Sequence, residues 1–133
     1  MGKIIINVDY TNVFAAAPAN EDIACVCTGR TLEELKKDME ESLRWHIDSM
    51  RADGERIPEE FEGEWSIEWC LTVRAILHLT EGFISKAALA KVTGINQQQL
   101  GHYASGHRVP RPAMRAKIID GIHAIGNTLA AIS

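Results

Sequence analysis

The stretch from Ser85 to Pro110 constrains this chain more than any other part of it. Leu89, Val92, Ile95, Leu100 and Tyr103 recur where two short helices would have to bury side chains at a shared corner. Ala90 is small where the second helix must approach the first closely. Gly94 supplies the left-handed conformation that other residues resist. Ser85 can cap the first helix, and Ile84 can pack on Leu89 as a hydrophobic staple. Asn96 opens the second helix, with Gln99 placed for a reciprocal cap, and Gly106 ends it. The combined spacing predicts a helix-turn-helix corner, which is far more specific than one amphipathic helix.

Around this corner the chain from Thr72 onward reads as wholly helical. A helix is expected over Val73 to Leu79, and a last one from about Ala113 to near the end, with Pro112 suited to a first helical position. The front half reads differently. Lys3 to Tyr10 alternates, with Ile4, Ile6, Val8 and Tyr10 on one face. Val13 to Ala17 and Ile23 to Thr28 follow as strands, and their short connections favour an antiparallel meander. Thr31 and Glu34 form a T-x-x-E capping box, behind which Leu32, Leu35, Met39, Leu43, His46 and Met50 recur at helical spacing. Gly54 is a plausible stop, and Glu64 to Thr72 returns to strand composition with Trp65, Ile67, Trp69 and Leu71 on one face. The expected class is α+β: residues 1–71 as a small antiparallel sheet with one long helix, and residues 72–133 as an all-α domain.

Charge divides along the same line. Residues 1–64 carry 15 acidic and 7 basic side chains, a balance of −8, and residues 65–133 carry 3 and 7, a balance of +4. From Ser85 to Lys117 there are six basic residues and no Asp or Glu. The basic half suits a polyanion, which the acidic half would repel. No apolar run approaches the roughly 20 residues that cross a bilayer, and the N-terminus lacks a secretory pattern. A cytoplasmic protein without membrane attachment is expected. Cys25, Cys27 and Cys70 form no C-x-x-C pair and read as small buried hydrophobes, so no metal site and no cofactor is expected.

In a helix-turn-helix the second helix enters the major groove with its N-terminal end towards the bases. Here that end reads Asn96-Gln97-Gln98-Gln99. Gln can pair with the edge of adenine in bidentate fashion, so Gln97 and Gln98, with His102 as a third, are the expected base contacts. Lys86, Lys91, Asn96, Arg108 and Arg111 are expected at phosphates, with Arg115 and Lys117 as further candidates; such contacts set affinity and register. The run Leu89 to Asn96, with Leu100, Tyr103 and the closing Tyr103 to Pro110, resembles the phage-repressor-like (Xre-type) helix-turn-helix family. That resemblance implies binding to double-stranded operator DNA as a homodimer or higher homo-oligomer. Ile118, Ile122, Ile125, Leu129 and Ile132, at alternating spacings of four and three, offer a seam for it or for packing within the domain.

The front half carries a second resemblance. Three short strands lead into Thr28-Gly29-Arg30-Thr31-Leu32-Glu33-Glu34-Leu35, a long acidic helix and Ile57-Pro58. This pattern is similar to the HicB antitoxin family. The resemblance implies a partial RNase H-like fold without catalysis. It also implies binding to a HicA-like toxin that cuts mRNA, as in a type II toxin–antitoxin pair, and repression of the protein's own operon. The alternative is a stand-alone regulator whose N-terminal domain senses a ligand or dimerises. An enzyme is not expected: Asp9, Glu68 and Glu34 or Asp38 are carboxylates of an RNase H-like order, but no local motif joins them.

Overall fold

A computed structural model describes residues 2–133. The chain divides into two compact units, Met1–Thr72 and Val73–Ser133. The first contains strands β1 (Gly2–Tyr10), β2 (Phe14–Pro18) and β3 (Cys27–Gly29), helix α1 (Leu32–Ala52), a 3-10 turn at Glu59–Phe61 and strand β4 (Trp65–Leu71). The second contains helices α2 (Val73–Thr80), α3 (Lys86–Thr93), α4 (Gln97–Ala104) and α5 (Pro112–Ala130). No helix among the described residues is long and apolar enough to cross a membrane.

The class is α+β, but the sheet is mixed rather than antiparallel. Its order is β3-β2-β1-β4, with β1–β2 and β2–β3 antiparallel and β1–β4 parallel. Two hairpin reversals leave β3 running the same way as β1. The 21-residue α1 then carries the chain back to its starting end, so β4 enters along β1 in the same direction. The third strand is also shorter than expected. Ile23 is buried, yet residues 23–26 lie outside the ladder. Continuing the β2–β3 register would set Cys25 against Pro18, which has no N–H to give. The amides of Ile23 and Cys25 bond instead to the carbonyls of Asn20 and Ile23.

One face of the sheet is covered. Ile4, Ile6, Val8, Phe14 and Ala16 are buried there, and Leu35, Met39, Leu43 and Ile47 of α1 form the matching stripe. Ile47 takes the core place expected of its neighbour His46, which is only half-buried. The Thr31 hydroxyl caps α1 by accepting from the Glu34 amide at 3.2 Å. Phe61 is fully buried, edge-on to Trp65 at 5.1 Å, inside a segment that reads as polar and acidic. The other face carries Ile5, Asn7, Ala15, Ala17, Glu68 and Cys70 and is largely open.

The cysteines depart from expectation. Cys70 is exposed, and Cys25 and Cys27 are half-buried against Met39 and Ser42 of α1. Burial, with Cys27 beside it, pushes the Cys25 thiol above its ordinary range. Because the thiolate is the nucleophile, iodoacetamide at mildly alkaline pH should label Cys70 well before Cys25, as read by peptide mass spectrometry. Met39→Ala should cost about 2–5 kcal/mol of stability in this unit. Denaturant unfolding followed by tryptophan fluorescence reads it, since Trp45, Trp65 and Trp69 all lie in the unit.

Candidate nucleic-acid interface

The second unit is organised by one apolar cluster: Val73, Leu77, Leu89, Ile95, Leu100, Tyr103, Ala104 and Ile118. Ile84, Ala90, Met114, Ile122 and Ile125 pack against it from the rim. Val92, expected in this core, is 47% exposed. Gly121 of α5 lies beside it: a Cβ there would sit 2.5 Å from the Thr93 side chain and 3.6 Å from those of Leu89 and Val92, so the missing side chain lets α5 approach all three.

Three residues, Gly94-Ile95-Asn96, turn the chain from α3 into α4. Gly94 adopts φ +75°, a left-handed conformation open to glycine at little cost, and its amide closes α3 by bonding to the Ala90 carbonyl. Ile95 is buried and anchors the corner. Thr93 Oγ1 donates to the Leu89 carbonyl at 2.7 Å and accepts from the Ile95 amide at 3.1 Å. Asn96 Oδ1 accepts from the amides of Gln98 at 2.7 Å and Gln99 at 3.3 Å, so two of the open amides at the start of α4 are satisfied by one side chain. The reciprocal bond expected from Gln99 is replaced by another. Its Nε2 donates to the Tyr103 hydroxyl at 2.9 Å, one turn along. That bond gives the buried Tyr103 ring a partner for its polar end.

Downstream of α4 the chain is held by local bonds. The Ser105 hydroxyl donates to the His102 carbonyl at 3.1 Å and accepts from the His107 amide at 3.3 Å. The Arg108 amide donates to the same carbonyl at 3.2 Å. Gly106, at φ +78°, leaves the space that the Arg74 side chain of α2 fills. The rings of His102 and His107 lie 5.2 Å apart, tilted by 56°.

Together these elements border a groove of about 420 Å³, lined by Asn96, Gln98, Gln99, His102, Arg108 and Lys117, with Met114 in its wall. From Gly82 to Ile119 the chain contains no carboxylate side chain. Of the expected contact residues, Asn96, Gln98, His102 and Arg108 meet in this groove, and Lys117 of α5 joins them. Gln97 is exposed on the first turn of α4, outside the lining. Lys91 and Arg111 are exposed elsewhere, and Lys86 is half-buried beside Glu81 in a separate small pocket. His102 is half-buried, and its Nδ1 is shut from solvent without a hydrogen-bond partner. Val109, absent from the expected contacts, is 88% exposed between Arg108 and Pro110. The signal for it is the Arg-Val-Pro-Arg-Pro run, which holds a bare apolar side chain between two cations.

In the other unit, Asp9 and Glu68 lie on neighbouring strands, but Glu68 is in register with Ile5, four residues from Asp9. Asp9 Oδ1 accepts from the Thr72 hydroxyl at 2.7 Å. Among the described residues, no group of three or more His, Cys, Asp or Glu side chains could hold a metal ion. Comparison of the chain with protein-family models, with curated proteins and with solved structures finds no match in any of the three.

Asn96→Ala should destabilise the start of α4 by about 1 kcal/mol. Amide exchange at Gln98 and Gln99 should quicken, while exchange at Leu43 in the other unit serves as the reference.

Proposed function

We propose that this protein is an antitoxin and autorepressor of the HicA/HicB-like kind: its C-terminal unit binds operator DNA, and its N-terminal unit holds a small basic ribonuclease inactive. One observation carries the DNA half. The first turn of α4 presents Gln97 and Gln98 to solvent, beside a groove bordered by Arg108 and Lys117, within a stretch free of carboxylates. In this reading α3 and α4 are the two helices of a helix-turn-helix. α4 enters the major groove, Gln97 and Gln98 meet base edges, and Arg108 and Lys117 meet phosphates on either side. Val109 offers an apolar contact of the kind a thymine methyl accepts. His102, its ring tilted against that of His107, shapes the groove wall and leaves base reading to the glutamines.

The acidity of residues 1–64, at −8, supports the second half, because a protein that cuts RNA needs a cationic surface. A two-fold operator requires two copies. Leu129, 60% exposed in the last turn of α5, and Ile132, 73% exposed just beyond the helix, supply apolar surface for that contact.

The test is binding of the full chain to the DNA upstream of its own gene, followed by fluorescence anisotropy at two salt concentrations. Gln97→Ala with Gln98→Ala should remove about 1–3 kcal/mol of discrimination for each glutamine–base pairing, leaving non-specific binding in place. Arg108→Ala should weaken specific and non-specific binding alike and reduce the salt slope by about 1. Absence of salt-sensitive, sequence-dependent binding would overturn the DNA half.

A further inference from the structure

The bare tryptophan of the first unit has a setting of its own. Trp45 on α1 is 72% exposed, and Val26, in the segment before β3, is 74% exposed. Both line one groove of about 450 Å³, with Ala24, Cys25, Glu41, Ser42 and His46. A large aromatic and an aliphatic side chain left in water beside one another mark an anchor site more often than a solvated surface.

The charges of α1 say what the groove accepts. Glu34, Asp38, Glu41, Trp45 and Asp48 follow one another at spacings of four, three, four and three, so they share a single stripe along the helix. All five are exposed. The basic residues of the helix are mostly held on its other flank. Lys36 Nζ lies 5.5 Å from the Trp69 ring centroid, and Arg44 lies 4.9 Å from that of Trp65 while bonding to Glu40 at 3.2 Å. Arg51 donates to the Phe61 carbonyl at 3.2 Å. Lys37 alone stands at the border of the stripe. The helix therefore holds most of its cations on the flank towards β4, with Glu40 paired among them, and sets four of its six carboxylates on the stripe that carries Trp45, Glu41 lining the groove with Val26.

We propose that the Trp45–Val26 groove is where the first unit docks a basic protein. The partner places an apolar side chain or a guanidinium stem against the Trp45 ring, and further Lys or Arg side chains along Glu34, Asp38, Glu41 and Asp48. Lys and Arg suit both halves of such a site, since their stems pack on apolar surface and their heads pair with carboxylates and aromatic faces. The inference rests on the antitoxin reading for the identity of that protein, the ribonuclease, and adds the surface that holds it.

The experiment installs a photo-cross-linker in the full chain, in the cells it comes from, by Val26→p-benzoylphenylalanine. The same replacement of Ile5, on the open face of the sheet, is the comparison. The expected product at position 26 is one basic protein that, once purified, cuts RNA and is inhibited by the full chain. Trp45→Ala and Glu41→Lys should each weaken its binding by at least about 10-fold, with the unfolding transition of the unit retained and Trp45→Phe keeping most of the affinity. Capture of the same ribonuclease only at position 5 would overturn this docking face and leave the antitoxin reading standing. Capture at position 26 of a second copy of this chain would also overturn it, making the groove a self-contact. Failure to capture a basic ribonuclease at either position would overturn both.

Discussion

The second unit depends on the three-residue corner between α3 and α4. Gly94 reverses the backbone at φ +75°, Ile95 pins the reversal to the core, and Asn96 engages two amides of the new helix with one carbonyl oxygen. Each part would be weak alone. A left-handed residue without the buried Ile95 would be a flexible turn, and an Asn cap without the fixed turn would have no defined direction to launch the helix. Their combination sets which face of α4 is buried, through Leu100, Tyr103 and Ala104, and so which face is left to Gln97 and Gln98.

Local chemistry was readable from the residues, and choice of partner was not. The Thr31 cap of α1, the Ser85 cap and Gly94 act through bonds spanning a few residues, Pro112 acts through its own ring, and each stands where the sequence pattern puts it. The direction of β4 is another matter. Whether Trp65–Leu71 pairs with β1 or with β3, and in which sense, is decided by how a 21-residue helix crosses the sheet. Residues 23–26 fail as strand for a similar reason: their composition suits a ladder, but Pro18 on the facing strand cannot complete one. Phe61 is the single apolar side chain among the four glutamates of residues 59–64, so no periodicity marks it as core.

The candidate site was legible in kind more than in membership. The acid-free stretch and the glutamine run can be read from the residues, because exposure at the first turn of a capped helix follows from the cap. Which cations face the groove depends on packing. Lys117 reaches it because α5 rests on α3 at Gly121, where a side chain would hold the helices apart. Lys86, close to the groove in sequence, lines a separate small pocket instead. The role of Gln99 likewise followed from Tyr103, one turn away, which needed a partner for its hydroxyl.

Helix α5 has 19 residues, a rod of about 28 Å, and its packing on the core stops near Ile125. In the dimer proposed above its last turns would act as a lever arm whose length and rotational phase are fixed together. Lengthening the arm by one residue beyond Ile125 would turn whatever it grips by about 100° while advancing it only about 1.5 Å. Lengthening it by seven would nearly restore the angle and add about 10.5 Å. In the dimer proposed above, the separation of the two α4 helices, and with it the spacing of operator half-sites, would therefore change in steps set by helical pitch. In that dimer, insertions and deletions in the arm would be under a phase constraint that ordinary surface helices escape.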